Sequence, residues 1–147
     1  MYQHLLVPID GSELSTHAMQ SGLALAAKLG ASITGFVAEP MPPLPHMGAN
    51  VNTYTRETEE HNTRTEAHAR EALKLFSELA AAAGVPFQGK FQRTDAVDES
   101  IVAAAAEFGC DLIVMATHGR GAFAELLFGS HTKNVLARSK LPLLVLR

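Results

Sequence analysis

Two stretches of the chain carry residue types and spacings suited to binding an anion. The first is Pro8-Ile9-Asp10-Gly11-Ser12, an apolar run ending in a carboxylate, a glycine and a hydroxyl. The second is Met115-Ala116-Thr117-His118-Gly119-Arg120-Gly121; nine residues separate Gly119 from Gly129-Ser130-His131-Thr132. Gly119 and Gly121 let backbone N–H groups approach a phosphate with no Cβ in the way. Gly129-Ser130 reads as the opening of a helix, whose free amides and positive dipole end attract anions. The Ser130 and Thr132 hydroxyls and Arg120 add donors, and His118 and His131 offer ring nitrogens in the two halves of the loop. Gly129-Ser130 also reads as a plain turn and N-cap. Its place between an apolar strand and a helix is what favours the phosphate reading.

Asp10 has three readings: a turn-former ahead of Gly11, a ligand contact, or a nucleophile. The last wants a second acid close by, and only Glu13 is offered, already inside the next helix. Other chemistries lack their residues. Gly89-Lys90 is followed by Phe91, so there is no Walker-type phosphate loop. Gly119-x-Gly121-x-x-Ala124 fits a degenerate dinucleotide fingerprint, but no acid follows Glu125 to hold a ribose hydroxyl. No G-x-S-x-G supports a serine nucleophile. His61 and His68 lie seven apart with no third metal ligand nearby, and Cys110 reads as a small core residue.

The elements needed to position these residues alternate strand and helix. His4–Ile9 is a short apolar strand ended by Asp10-Gly11. Ser12 caps a helix with Leu14, Ala18, Gly22, Leu25 and Leu29 on one face, stopped by Gly30. Residues 32–38 form a β-branched and aromatic strand. Residues 39–55, with prolines at 40, 42, 43 and 45, are expected to be neither helix nor central strand. A helix from Thr58 to Ala83 follows, polar in its first half and apolar at helical spacing from Ala69 onward. Val85–Gln92 is a weak strand near a sheet edge. Asp95 is expected to cap a helix with Val97, Ile101, Ala104 and Phe108 inward. Asp111–Ala116, a helix from Ser130 to about Ser139, and Leu143–Leu146 complete the order. Five apolar strands separated by helices predict one open, parallel, doubly wound α/β sheet with helices on both faces.

The 147 residues suit a single domain, 1–147. With 47% hydrophobic and 18% charged residues, disorder is excluded as the main state. Twelve basic against fifteen acidic residues give a net charge of −3, which is no footprint of a general nucleic-acid binder. One cysteine makes no internal disulfide, no apolar run reaches membrane-spanning length, and the start of the chain lacks a leader pattern. A cytoplasmic protein is the expectation. Charge is uneven, however. Residues 56–71 hold five Glu against three Arg, whereas Lys133, Arg138, Lys140 and Arg147 follow Glu125 with no acid among them. The split reads either as chance with a solvated helix face at 56–71 or as a C-terminal quarter that receives an anion.

These motifs carry a resemblance. VPIDGS at residues 7–12, DLIVMATHGRG at 111–121, LLFGSHTKNVL at 126–136 and the closing LPLLVLR resemble the universal stress protein family along essentially the whole chain. The resemblance implies a five-stranded parallel sheet of the Rossmann-like kind and a homodimer formed through the last strand, here Leu143–Leu146. A subset of the family binds ATP through G-x2-G-x9-G-[ST]. Gly119, Gly129 and Ser130 match its last three positions, and Ala116 stands where the first glycine is. The resemblance further implies that Pro8, Asp10, Val37 and Met115 line adenine and ribose, while His131 and Thr132 give donors to phosphates. The expected function is a stress-response regulatory protein holding ATP with Mg or Mn. The alternative is a homodimeric stress-related interaction protein that binds no nucleotide. Slow ATP hydrolysis ranks third, because no positioned general base with a matched acid is visible.

Overall fold

Runs of β-branched and aromatic residues favour pleated backbone, and apolar residues recurring every three or four positions favour an amphipathic helix. The chain alternates the two. A computed structural model describes residues 1–117 and 130–147. The elements are β1 (His4–Pro8), α1 (Glu13–Leu29), β2 (Ser32–Glu39), α2 (Val51–Ala83), β3 (Phe87–Arg93), α3 (Val97–Glu107), β4 (Leu112–Ala116), α4 (Ser130–Arg138) and β5 (Leu143–Leu146). The five strands form one sheet in the order β3-β2-β1-β4-β5, and every pairing is parallel. The α/β architecture is the one expected, with β3 and β5 at the edges.

The pleat sends alternate side chains to opposite faces, so the central strands are apolar on both. Leu5, Val7, Ile33, Val37, Leu112 and Val114 pack with α1 and α2. Leu6, Phe36, Ile113 and Met115 pack with α3 and with Val135 of α4. Cys110 is buried among the second group. Burial pushes its thiol up to about 11, so at neutral pH it is a protonated core side chain.

Four local expectations are corrected. The buried face of α1 runs through Ser15, Ala18, Met19, Gly22, Leu23 and Ala26, leaving Leu29 exposed and Leu14 and Leu25 half-buried. Small residues decide this. A Cβ on Gly22 would stand 3.2 Å from Val7 Cγ2, so helix and sheet touch where side chains are least. Second, α2 starts at Val51 and not at Thr58, because Asn50 Oδ1 accepts from Asn52 N and Thr53 N and caps it. The proline segment shrinks accordingly to residues 40–50. Third, Asp95 does not cap α3; the N-cap is Ala96, with no side-chain bond. Asp95 Oδ1 instead accepts from Met41 N at 3.0 Å and ties down the proline segment. Fourth, the strand expected at Val85–Gln92 is Phe87–Arg93. Phe87 stacks on Phe76 with centroids 4.8 Å apart. A Cβ on Gly35 would meet the Phe87 ring at 2.9 Å, so only glycine leaves room for that stack.

The start of β1 is held by one carboxylate. Asp111, just before β4, accepts from Gln3 N at 2.8 Å and His4 N at 3.0 Å. Desolvation raises the Asp111 carboxyl, and these amide bonds outweigh it, holding it below the ordinary carboxylate value. A lowered folded-state pKa stabilises above the unfolded value, near 3.9, and the stabilisation is lost as pH falls through the folded value. Asp111→Asn is therefore expected to lower unfolding stability by about 1 kcal/mol at pH 7. The gap from the parent should narrow as pH is lowered from 7 to 3. Urea unfolding at both pH values measures it, and an unchanged gap at pH 3 would refute the charge-based account.

Candidate functional site

Connections leave the sheet in opposite directions from β1 and β4, which are neighbours. β1 runs through α1 to β2 on one side, and β4 precedes β5 on the other. At such a reversal the helices diverge and leave a crevice beyond the strands' C-terminal ends. Here a cleft of about 390 Å³ lies there. Ala18, Phe36, Ala38, Ile101 and Met115 give it apolar walls, and its polar groups come from two turns.

The first turn follows β1. Asp10 Oδ1 accepts from Ser12 N at 2.9 Å and from Ser15 Oγ at 2.5 Å. Ser15 Oγ in turn accepts from Asp10 N at 2.7 Å, and Ser12 Oγ caps α1 through Ser15 N. Burial pushes the Asp10 carboxyl up, but the bonds from Ser12 and Ser15 prevail and hold it below the usual carboxylate range. It is an anion at neutral pH, already oriented. Gly11 takes φ +82°, a conformation that suits glycine. A Cβ there would stand 2.8 Å from His68 Nε2. His68, on α2, bonds through Nδ1 to Glu39, a buried carboxylate at the end of β2. The turn is thus backed by a histidine that a buried acid fixes.

The second turn opens α4. Ser130, His131 and Thr132 line the cleft, and the first amides of a helix have no intrahelical acceptor. Thr132 is buried. His131 Nδ1 lies 2.6 Å from Asp98 Oδ1, and Asn134 Nδ2 donates to Asp98 Oδ2 at 2.8 Å. One turn on, Arg138 Nη1 donates to Glu99 Oε1 at 2.9 Å. These polar bonds, with Val135 beneath, fix α4 on α3.

Of the residues expected at the site, Pro8, Asp10, Met115, Ala116, Ser130, His131 and Thr132 are brought together around this cleft. Val37 is not among its lining residues. Its side chain is wholly buried in the core on the α1–α2 face, because the pleat assigns the cleft to its neighbours Phe36 and Ala38. Gly119, Arg120 and Gly129, with His118 and Gly121, lie outside the described residues. Ala116 is half-buried and packs against the α1–α2 core. Ser15, Glu39 and Asp98 carry no role in the sequence reading, and His68 enters it only as a metal ligand lacking partners. Only Ser15 had a local signal, the Asp-Gly-Ser-x-x-Ser spacing that closes the turn on itself. The pairing of His68 with Glu39 and of His131 with Asp98 spans 29 and 33 residues, with no local pattern to announce it.

Among the described residues, no group of three or more His, Cys, Asp or Glu is placed to hold a metal ion. His61 and His68 are turned to separate tasks, since His61 Nε2 bonds the Pro40 carbonyl at 3.0 Å. Among the same residues no helix is long and apolar enough to cross a membrane.

Comparison with known proteins agrees with this geometry. The family model of the universal stress proteins matches residues 1–147. A universal stress protein of Thermus aquaticus is 31% identical over 148 residues, covering all of both chains. The solved structure of protein MJ0577, from Methanocaldococcus jannaschii, superposes with a TM-score of 0.78 at 25% identity. That match covers 99% of this chain and 96% of the other. A universal stress protein solved in complex with cAMP gives a TM-score of 0.69 at 25% identity, covering 99% and 97%. With the whole chain matched by the family model and by a relative of equal length, this protein belongs to the universal stress protein family.

Proposed function

We propose that the cleft binds an adenine nucleotide, ATP with Mg or Mn, and that the protein acts as a nucleotide-responsive regulator in the stress response. One observation carries the reading: the Asp10 turn and the first turn of α4 face one apolar cleft at the sheet's switch point. An apolar cleft with a few convergent polar groups suits a base and its sugar. The oriented Asp10 carboxylate suits a ribose hydroxyl donor, and the opening of α4 suits phosphates. The relative solved with cAMP supports an adenine nucleotide as the class of ligand. A divalent ion accompanying the nucleotide would take oxygens from its phosphates. The packing of Ala116 against the α1–α2 core supports tolerance of its methyl group at the cleft.

We further propose a homodimer through β5. Among the described residues that strand is an edge of the sheet, paired only to β4, and Leu144 is 37% exposed. A bare apolar edge favours pairing with a second copy.

Three measurements test these readings. Acid extraction of the purified protein should release an adenine nucleotide, or added ATP and Mg should raise its melting temperature; failure of both would sink nucleotide binding. Asp10→Ala should weaken ATP binding at least about tenfold, the equivalent of one charge-assisted hydrogen bond, with circular dichroism unchanged. Equal affinity in the variant would remove Asp10 from the site. Light scattering at micromolar concentration should give twice the chain mass, and a monomer there would refute the β5 dimer.

A further inference from the structure

His131 sits between a carboxylate and the cleft that Ser130 and Thr132 also line. Its side chain is 62% exposed, whereas that of Asp98 is only 18% exposed. Both oxygens of Asp98 are engaged, Oδ1 by His131 Nδ1 and Oδ2 by the Asn134 amide. A neutral imidazole has one N–H donor. With that donor on Nδ1, given to Asp98, Nε2 presents a lone pair, which repels a phosphate oxygen. With the donor on Nε2, a lone pair faces Asp98 Oδ1 across 2.6 Å. Only the imidazolium satisfies a carboxylate and a phosphate together.

The surrounding charges favour the same state. Asp10 faces the cleft from the end of β1 as an anion, and Asp98 faces His131 from α3. On α3 and α4, Glu99 is paired with Arg138, which leaves Lys133 as the further cation of α4. A phosphate that meets His131 is also repelled by the Asp98 carboxylate behind the ring, and a proton on His131 offsets that repulsion locally.

We propose that His131 takes up a proton when the phosphates bind, donating Nδ1–H to Asp98 and Nε2–H to a phosphate oxygen. Asp98 is then a positioning residue for the phosphate contact, and ATP affinity rises as pH falls through the histidine range. The inference rests on the cleft being a nucleotide site, and its test separates the two.

The experiment is calorimetric titration of the full chain with Mg-ATP at pH 6, 7 and 8, in buffers of differing ionisation enthalpy. ATP's own phosphates titrate in this range, so each affinity is divided by that of His131→Asn, which keeps a donor for Asp98 and cannot titrate. The ratio is expected to favour the parent by roughly four- to twentyfold more at pH 6 than at pH 8. Less than one proton should be taken up per ATP, with the maximum near pH 7 and smaller values at pH 6 and pH 8. Asp98→Asn should shift the profile to lower pH, since the proton loses its carboxylate. ATP binding with no proton uptake and a flat ratio would overturn the role of His131 and leave the nucleotide site standing. No ATP binding at any pH would overturn both. The calorimetric proton count needs only the parent protein, so a variant that fails to fold does not rescue the idea.

Discussion

The cleft depends on how β1 and β4 are joined. They are neighbours in the sheet, yet they share only two register pairs, Leu5 with Leu112 and Leu6 with Ile113. By contrast, β1 runs beside β2 over five, from His4 with Ser32 to Pro8 with Phe36. Beyond Leu6 the two strands make no further ladder pairs. That separation provides the opening between the Asp10 turn and the end of β4. A junction with so few ladder bonds needs support at its base, and Asp111 supplies it by accepting from the amides of Gln3 and His4 at the start of β1. The N-terminal end of the junction is tied and the C-terminal end opens into the cleft.

Both polar turns at the cleft are built on one pattern. A histidine stands behind or beside the turn, and a less exposed carboxylate from another element fixes its Nδ1: Glu39 for His68, Asp98 for His131. The two cases differ in which way the ring serves. His68 closes on Gly11 and limits the space behind the turn, so it supports backbone shape. His131 lines the cleft itself. Fixing the imidazole from a neighbouring element matters because neither turn is held by the sheet's ladder bonds: one follows the end of β1 and the other opens α4.

Much of this was legible in the sequence. The order of elements and the two site turns follow from apolar runs punctuated by Asp-Gly, Gly-Ser and helix-stopping glycines, all of them local signals. The errors share a cause, which is tertiary contact. Leu29 matches the helical period of α1 but lies outside the buried face, because Gly22 and the alanines set the line of closest approach. Val37 has the right strand and the wrong pleat for the cleft. Asp95 has the composition of a cap, and the proline segment draws it away through Met41 N. The start of α2 was missed because Val51-Asn52-Thr53 is poor in helix formers, and a single Asn50 cap outweighs that.

The polar first half of α2 shows what composition alone conceals. Its 33 residues span about 50 Å, twice the roughly 26 Å of the eight-residue β2, so the helix overruns the sheet and has little apolar surface to rest on. Polar contacts hold it there instead. Thr65 is buried, and Arg93, at the end of β3, donates to its hydroxyl and to the Asn62 carbonyl. His61 bonds the Pro40 carbonyl, and His68 bonds Glu39. Such a polar seam costs more to assemble than an apolar one, because each group must be desolvated and then paired. Asn62 Oδ1 and Arg93 Nε are buried there without partners. The seam ends at His68 against Gly11, the turn that orients Asp10. The acidic, histidine-bearing helix that reads in sequence as a solvated surface is in the fold the buttress of the cleft's first turn, which is why its polarity persists where it meets the end of the sheet.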